Sequence, residues 1–203
     1  MQRGALRRNA NFVNLWGAAT VSTFGSLVTR TALPFTAILL LDASPSAISV
    51  LRVAELLPGF AFGLIAGAWV DRLSRKPIMI ATDLSRALLV AVVPLAAFLG
   101  WLGLGHLYVI AALVSVLSVF FDVAYQSFLP SLVENDELVE ANSKLSAAMS
   151  VAEASAFSSA GWLIQLLTAP VAMLVDALTF IASAGLVARI KEPALRAEPT
   201  LSE

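Results

Sequence analysis

The sequence predicts an all-α membrane protein with six transmembrane helices, and three observations carry that expectation. Of its 203 residues, 59% are hydrophobic and only 13% charged, against roughly 45–50% and 25% in soluble domains. The apolar stretches are long and lack the two-residue alternation of barrel strands, so they must be helices, since lipid cannot satisfy open backbone polar groups. The Lys and Arg residues also gather in alternate connections between these stretches.

A crossing takes about 20 residues, and turn signals divide the chain into six such pieces. The first runs from about Val13 to Leu41 and stops before Asp42 and Ser44-Pro45. Arg3, Arg7 and Arg8 precede it as in a signal peptide, but the segment is too long and shows no A-x-A cleavage site, so a retained helix is expected. The second, from about Ala47 to Val70, runs into GAWVDRLSRK (67–76), a short charged turn at a membrane surface. The third begins near Pro77, a residue suited to a first helical turn, and ends around Gly100 to Gly105. The fourth covers about His106 to Leu129, halted by Pro130. The polar run SLVENDELVEANS precedes the fifth, from about Lys144 to Leu167. Thr168 to Pro170 forms a tight connection, and the sixth reaches about Arg189. The tail KEPALRAEPTLSE is polar and proline-punctuated. The expected organisation is an N-terminal segment 1–12, a six-helix bundle 13–190 and a tail 191–203.

With the N-terminus inside, the inner segments hold Arg3, Arg7, Arg8, Arg72, Arg75, Lys76, Lys144, Arg189, Lys191 and Arg196, and the outer loops hold none. The positive-inside rule then places both termini in the cytoplasm of a multi-pass protein of the cell (inner) membrane. Net charge is −1, and no basic block points to nucleic acid. The chain has no cysteine and one histidine, His106, which excludes thiol chemistry and argues against a metal. It also lacks H-E-x-x-H, G-x-S-x-G and a phosphate loop, so neither an enzyme nor a cofactor is expected.

Eight charges fall inside the predicted spans: Arg30, Arg52, Glu55, Asp83, Arg86, Asp122, Glu153 and Asp176. Each costs about 2.5–3.5 kcal/mol at a central position, so each should be paired, protonated or facing water. Arg52 with Glu55 and Asp83 with Arg86 stand at i,i+3, on one helix face. Counted by helical rise, Arg30 lies about 16 Å and Glu55 about 13 Å from the outer ends of their helices, so the two can meet near the midplane. Asp176 and Arg52 share a shallower level, roughly 8 to 9 Å down. Asp122, about 10 Å from the inner end of its helix, is within reach of Arg75 or Arg86 if those helices adjoin. Glu153 has no evident partner, which makes it a candidate to carry a proton. Arg30, Glu55 and Glu153 are therefore the proton or substrate candidates, while Arg52, Asp83, Arg86 and Asp176 read as structural charge pairs. Gly59, Gly63 and Gly67 form a G-x3-G-x3-G row suited to close helix packing or to a sliding contact. Pro34, Pro58 and Pro94 lie inside spans, where proline kinks a helix.

Gly67, Asp71, Arg72, Arg75 and Lys76, set between the second and third spans, resemble motif A of the major facilitator superfamily, G-x-L-a-D-R-x-G-R-[KR]. Trp69 stands where Leu is usual and Ser74 where the second Gly is usual. The segments NANFVNLWGAATVSTFGSLVTRTALPF, TDLSRA and FLPSLVENDELVEANS resemble the macrolide-efflux and enterobactin-exporter branch, of the drug:proton antiporter type. The resemblance implies one half of that fold, built of two inverted three-helix repeats. It also implies a cytoplasmic latch, in which Asp71 approaches a helix of the other half and Arg75 exchanges partners between Asp71 and an acid such as Asp122.

The expected function is the N-terminal half of a proton-coupled exporter of amphipathic small molecules working by alternating access. Its partners would be the lipid bilayer, a small-molecule substrate, protons and a second six-helix half, either a separate chain or a second copy. The competing expectation is a non-transporting membrane scaffold, or a truncated inactive fragment, whose charges only direct packing.

Overall fold

The computed structural model describes residues 5–70 and 72–191; Asp71, together with Arg3 and Arg196, lies outside them. A short α1 (Ala5–Arg8) is followed by six long helices: α2 (Ala10–Leu41), α3 (Pro45–Val70), α4 (Arg75–Phe98), α5 (Leu104–Leu132), α6 (Leu138–Leu167) and α7 (Ala169–Ala188). Five of them are long and apolar enough to cross a membrane: α2, α3 over Pro45–Gly63, α4, α5 and α7. The chain is thus a multi-pass membrane protein. The 30-residue α6 is diluted by serines, Glu140, Lys144 and Glu153.

Local chemistry sets the helix ends. The Asn9 side chain caps α2, accepting from the Asn11 and Phe12 amides at 3.1 and 3.2 Å. Asp42 closes the helix in the left-handed region at φ 47°, which a short polar side chain tolerates. Gly100, at φ 73°, lets Trp101 and Leu102 donate back to the Ala96 carbonyl at 3.1 and 3.2 Å. A single residue, Thr168 at φ 71°, joins α6 to α7, and Pro170 sits in the first turn of α7.

Two boundaries differ from expectation. Helix α5 runs through Pro130 to Leu132. The proline falls in the last turn, where the missing N–H breaks one bond, and Ser131 Oγ donates to the Phe128 carbonyl at 2.7 Å. Helix α6 begins at Leu138, six residues ahead of Lys144. The polar residues there are satisfied along the helix itself: Glu140 pairs with Lys144 at 2.7 Å, and Asn142 and Ser143 donate to carbonyls four residues back at 3.0 and 2.8 Å.

Helix α2 packs on α6 and α7, α5 packs on α3 and α4, and α4 packs on α7. Exchanging α2, α3 and α4 for α5, α6 and α7 maps these five most extensive pairings onto themselves. Because lipid is as apolar as a leucine, association rests on close packing rather than on burial from water. Two clusters result. One, at the end where α2 begins, includes Phe12, Leu15, Val70, Met79, Phe128 and Val187. The other, toward the opposite end, includes Val28, Leu51, Val90, Leu107 and Phe180. Hydrogen bonds tie the first end together. Asn9 Nδ2 donates to the Leu132 carbonyl at 2.8 Å. Asn11 makes a two-way clamp with the Lys191 backbone at 3.0 Å in each direction, and Lys76 Nζ donates to the Ile190 carbonyl at 2.6 Å.

Candidate functional site: a central cavity and a buried charge layer

The central turns of α2, α3 and α5, with the first half of α7, line an open cavity of about 630 Å³. Arg30, Glu55 and Asp176 supply its charged groups, and Leu33, Leu56, Phe60, Val114 and Val119 its apolar wall. These faces become a cavity because α2 and α3 barely touch, whereas each packs closely on other helices.

The charges divide into two arrangements. On α3, Arg52 and Glu55 form an ion pair at 2.6 Å, with the Arg52 side chain 44% exposed and that of Glu55 12%. Arg52 also reaches the Arg30 carbonyl at 3.5 Å. Arg30 and Glu55 therefore share the cavity without pairing; the rise along each helix placed them at one level, but Arg52, one turn from Glu55, reaches its carboxylate first. On α4, Asp83 and Arg86 form a fully enclosed ion pair. Arg86 lies between the rings of Phe121 on α5 and Phe180 on α7, at 4.5 and 4.3 Å from their centroids, and donates to Ser118 Oγ at 3.2 Å. Such stacking contributes about 2 kcal/mol when desolvated. One guanidinium thus binds three helices together.

Asp176 does not meet Arg52, because α3 packs on α5 and not on α7. It is wholly buried. Thr179 Oγ1 donates to the Asp176 carbonyl at 2.8 Å and also lies 3.2 Å from its Oδ1, while Oδ2 has no hydrogen-bond partner. Gly25 on α2 makes room for it: a methyl group there would sit 2.5 Å from Asp176 Oδ1 and would overlap the Thr179 hydroxyl.

The turn between α3 and α4 is held by Arg72 N–H to the Trp69 carbonyl at 3.1 Å and Leu73 N–H to the Val70 carbonyl at 3.3 Å. Trp69 contacts Phe120 of α5 edge-on at 6.5 Å. Ser74, at φ −65° and ψ 125°, occupies backbone space open to any residue, so a glycine is not needed there. Asp71, the acid of the expected latch, lies outside the described residues. Asp122 is exposed on α5, and neither it nor Arg75 forms an ion pair among the described residues. Glu153 is likewise exposed and unpaired among them, on the outer face of α6. The glycine row splits: Gly59 packs on α5, where an added methyl would lie 2.9 Å from Ser115 Oγ, whereas Gly63 and Gly67 face open space.

Sequence reasoning did not single out Gly25, Thr29, Ser118, Phe121, Thr179 or Phe180. The i,i+4 spacing of Gly25 and Thr29 and the i,i+3 spacing of Asp176 and Thr179 were available signals; the two rings around Arg86 left none.

The family model described as transmembrane secretion effector matches residues 4–203 of the chain. The chain belongs to that major facilitator family. An uncharacterized MFS-type transporter of Bacillus subtilis (strain 168), YfiS, is 31% identical over 90 residues, which are 44% of this chain and 22% of the relative. The chain therefore covers about a fifth of that relative's length. No solved structure matches significantly. That relative is a transporter by name, and a charged cavity within an apolar bundle suits that class.

Proposed function

We propose that this chain is one six-helix half of a secondary transporter, which exports amphipathic small molecules in exchange for protons by alternating access. The observation that carries the reading is the cavity of about 630 Å³, where Arg30, Glu55 and Asp176 face an apolar wall. A pocket that combines much apolar surface with a few convergent charges suits an amphipathic ligand, and ions kept in lipid at this cost serve a pathway more often than packing.

Three features support the half-transporter reading. The helix pairings map onto themselves when the first three long helices are exchanged for the last three, as two inverted repeats require. Helix α6 then counts as the sixth span, and its exposed surface sets Ser146, Ser150, Glu153 and Ser158 among Val151, Phe157, Trp162 and Leu166; a second half or a water-filled path would cover the polar part. Gly63 and Gly67 offer open backbone for close approach by another helix. The turn carrying Arg72 and Arg75 is the cytoplasmic latch, and both termini lie in the cytoplasm at the inner membrane. Substrates would resemble the macrolide or siderophore-like molecules of the branch named above.

The test is efflux of an amphipathic fluorescent cation from proteoliposomes under a pH gradient. The chain alone should transport nothing above empty vesicles, and co-expression with a complementary six-helix half should restore efflux. Transport by the chain alone as a monomer would overturn the reading.

A further inference from the structure

We propose that Asp176 is the residue that carries the coupling proton, held between α7 and α2 in the wall of the cavity; this rests on the proton-coupled reading above. Of the acids within the long apolar helices, Asp83 is neutralised by Arg86 and Glu55 by Arg52, and Asp122 and Glu153 are exposed. Among the described residues Asp83 and Asp176 both combine complete burial with an oxygen that has no donor, but Asp83 is ion-paired and Asp176 is in no ion pair. It is also among the residues that line the cavity.

The surroundings are built for a proton rather than a counter-ion. Thr179 Oγ1, shared with the Asp176 carbonyl at 2.8 Å, lies 3.2 Å from Oδ1 on the same helix. Thr29, on α2, places a second buried hydroxyl beside the carboxyl, and that hydroxyl too has no hydrogen-bond partner. Gly25, one turn earlier on α2, leaves space that a methyl group would close. The charged groups around the site are Arg86 and Asp83 on α4, already engaged with each other, Arg30 on α2, and Glu55 on α3 with its own arginine. None forms an ion pair with Asp176. A proton from water in the cavity adds to Oδ2, forming an O–H bond and a neutral carboxyl. That O–H donates to Thr29 Oγ1, which satisfies both unpartnered atoms at once. When the cavity faces the other side the proton returns to water and the carboxylate is restored.

Infrared difference spectroscopy of the purified chain in lipid vesicles, stepped between acid and alkaline pH, tests the assignment directly. The wild type should show a protonated-carboxyl C=O band that appears at acid pH; D176N should lose it and E55Q should retain it. A band unchanged in D176N overturns the proposal. In vesicles holding both halves, D176N should reduce pH-driven efflux at least tenfold. If the wild type shows no pH-driven efflux, the proton-coupled reading fails; if D176N couples as well as the wild type, only the assignment of Asp176 fails. Should D176N not assemble, T29V carries the test: the pH midpoint of the band should shift, and an unmoved midpoint overturns the proposal.

Discussion

Asp83–Arg86 and Arg52–Glu55 are the same device in sequence, an acid and an arginine three residues apart on one helix, yet they sit in opposite surroundings. The α4 pair is sealed between α5 and α7, with rings on both faces of the guanidinium. The α3 pair stands at the cavity edge, its arginine 44% exposed. A sealed pair fixes the relative position of three helices and cannot change partners without opening the core. An open pair costs little to rearrange, so it can answer to a ligand. Spacing alone therefore does not separate clamp from switch; the helices that cover it do.

The strongest way to break this contrast is D83N. It leaves Arg86 as an unpaired buried charge and should destabilise the bundle by about 3–5 kcal/mol, read as a drop in thermal unfolding temperature in detergent. R86K keeps the charge but loses the planar stack between Phe121 and Phe180, and should cost about 2 kcal/mol by the same measurement. E55Q removes the open pair and should change stability by less than about 1 kcal/mol, while impairing efflux once a second half is present; a stability loss as large as that of D83N would erase the distinction. The glycine row sharpens it at the smallest scale. G59A meets Ser115 and Val119 and should cost about 1 kcal/mol through crowding, whereas G63A, facing open space, should leave the unfolding temperature unchanged.

Helix positions were legible in the sequence because lipid demands about 20 apolar residues per crossing, and most expected ends fall within three residues of those observed. The start of α6 was not, since Glu140, Asn142 and Ser143 look like loop residues until their partners along the helix are known. In-helix charge pairs were legible because i,i+3 spacing is fixed by helix geometry. The role of Asp176 was not. Its depth could be counted, but α7 is apolar on every side, so nothing in its pattern says which face meets α2. The stack around Arg86 joins residues from three helices, and only tertiary packing brings them together.

The Asn11 clamp on the Lys191 backbone places the entry to α2 beside the exit from α7. The path through the six helices thus closes on itself, and the order in which they are threaded is not what holds them. A circular permutant that bridges Lys191 to the start of α2 and opens the Gly100–Gly103 turn would thread α5 first and α4 last through the same contacts. The bundle behaves as a ring of helices cut at one point, and its internal exchange of three for three makes the Gly100–Gly103 turn the opposite point of that ring.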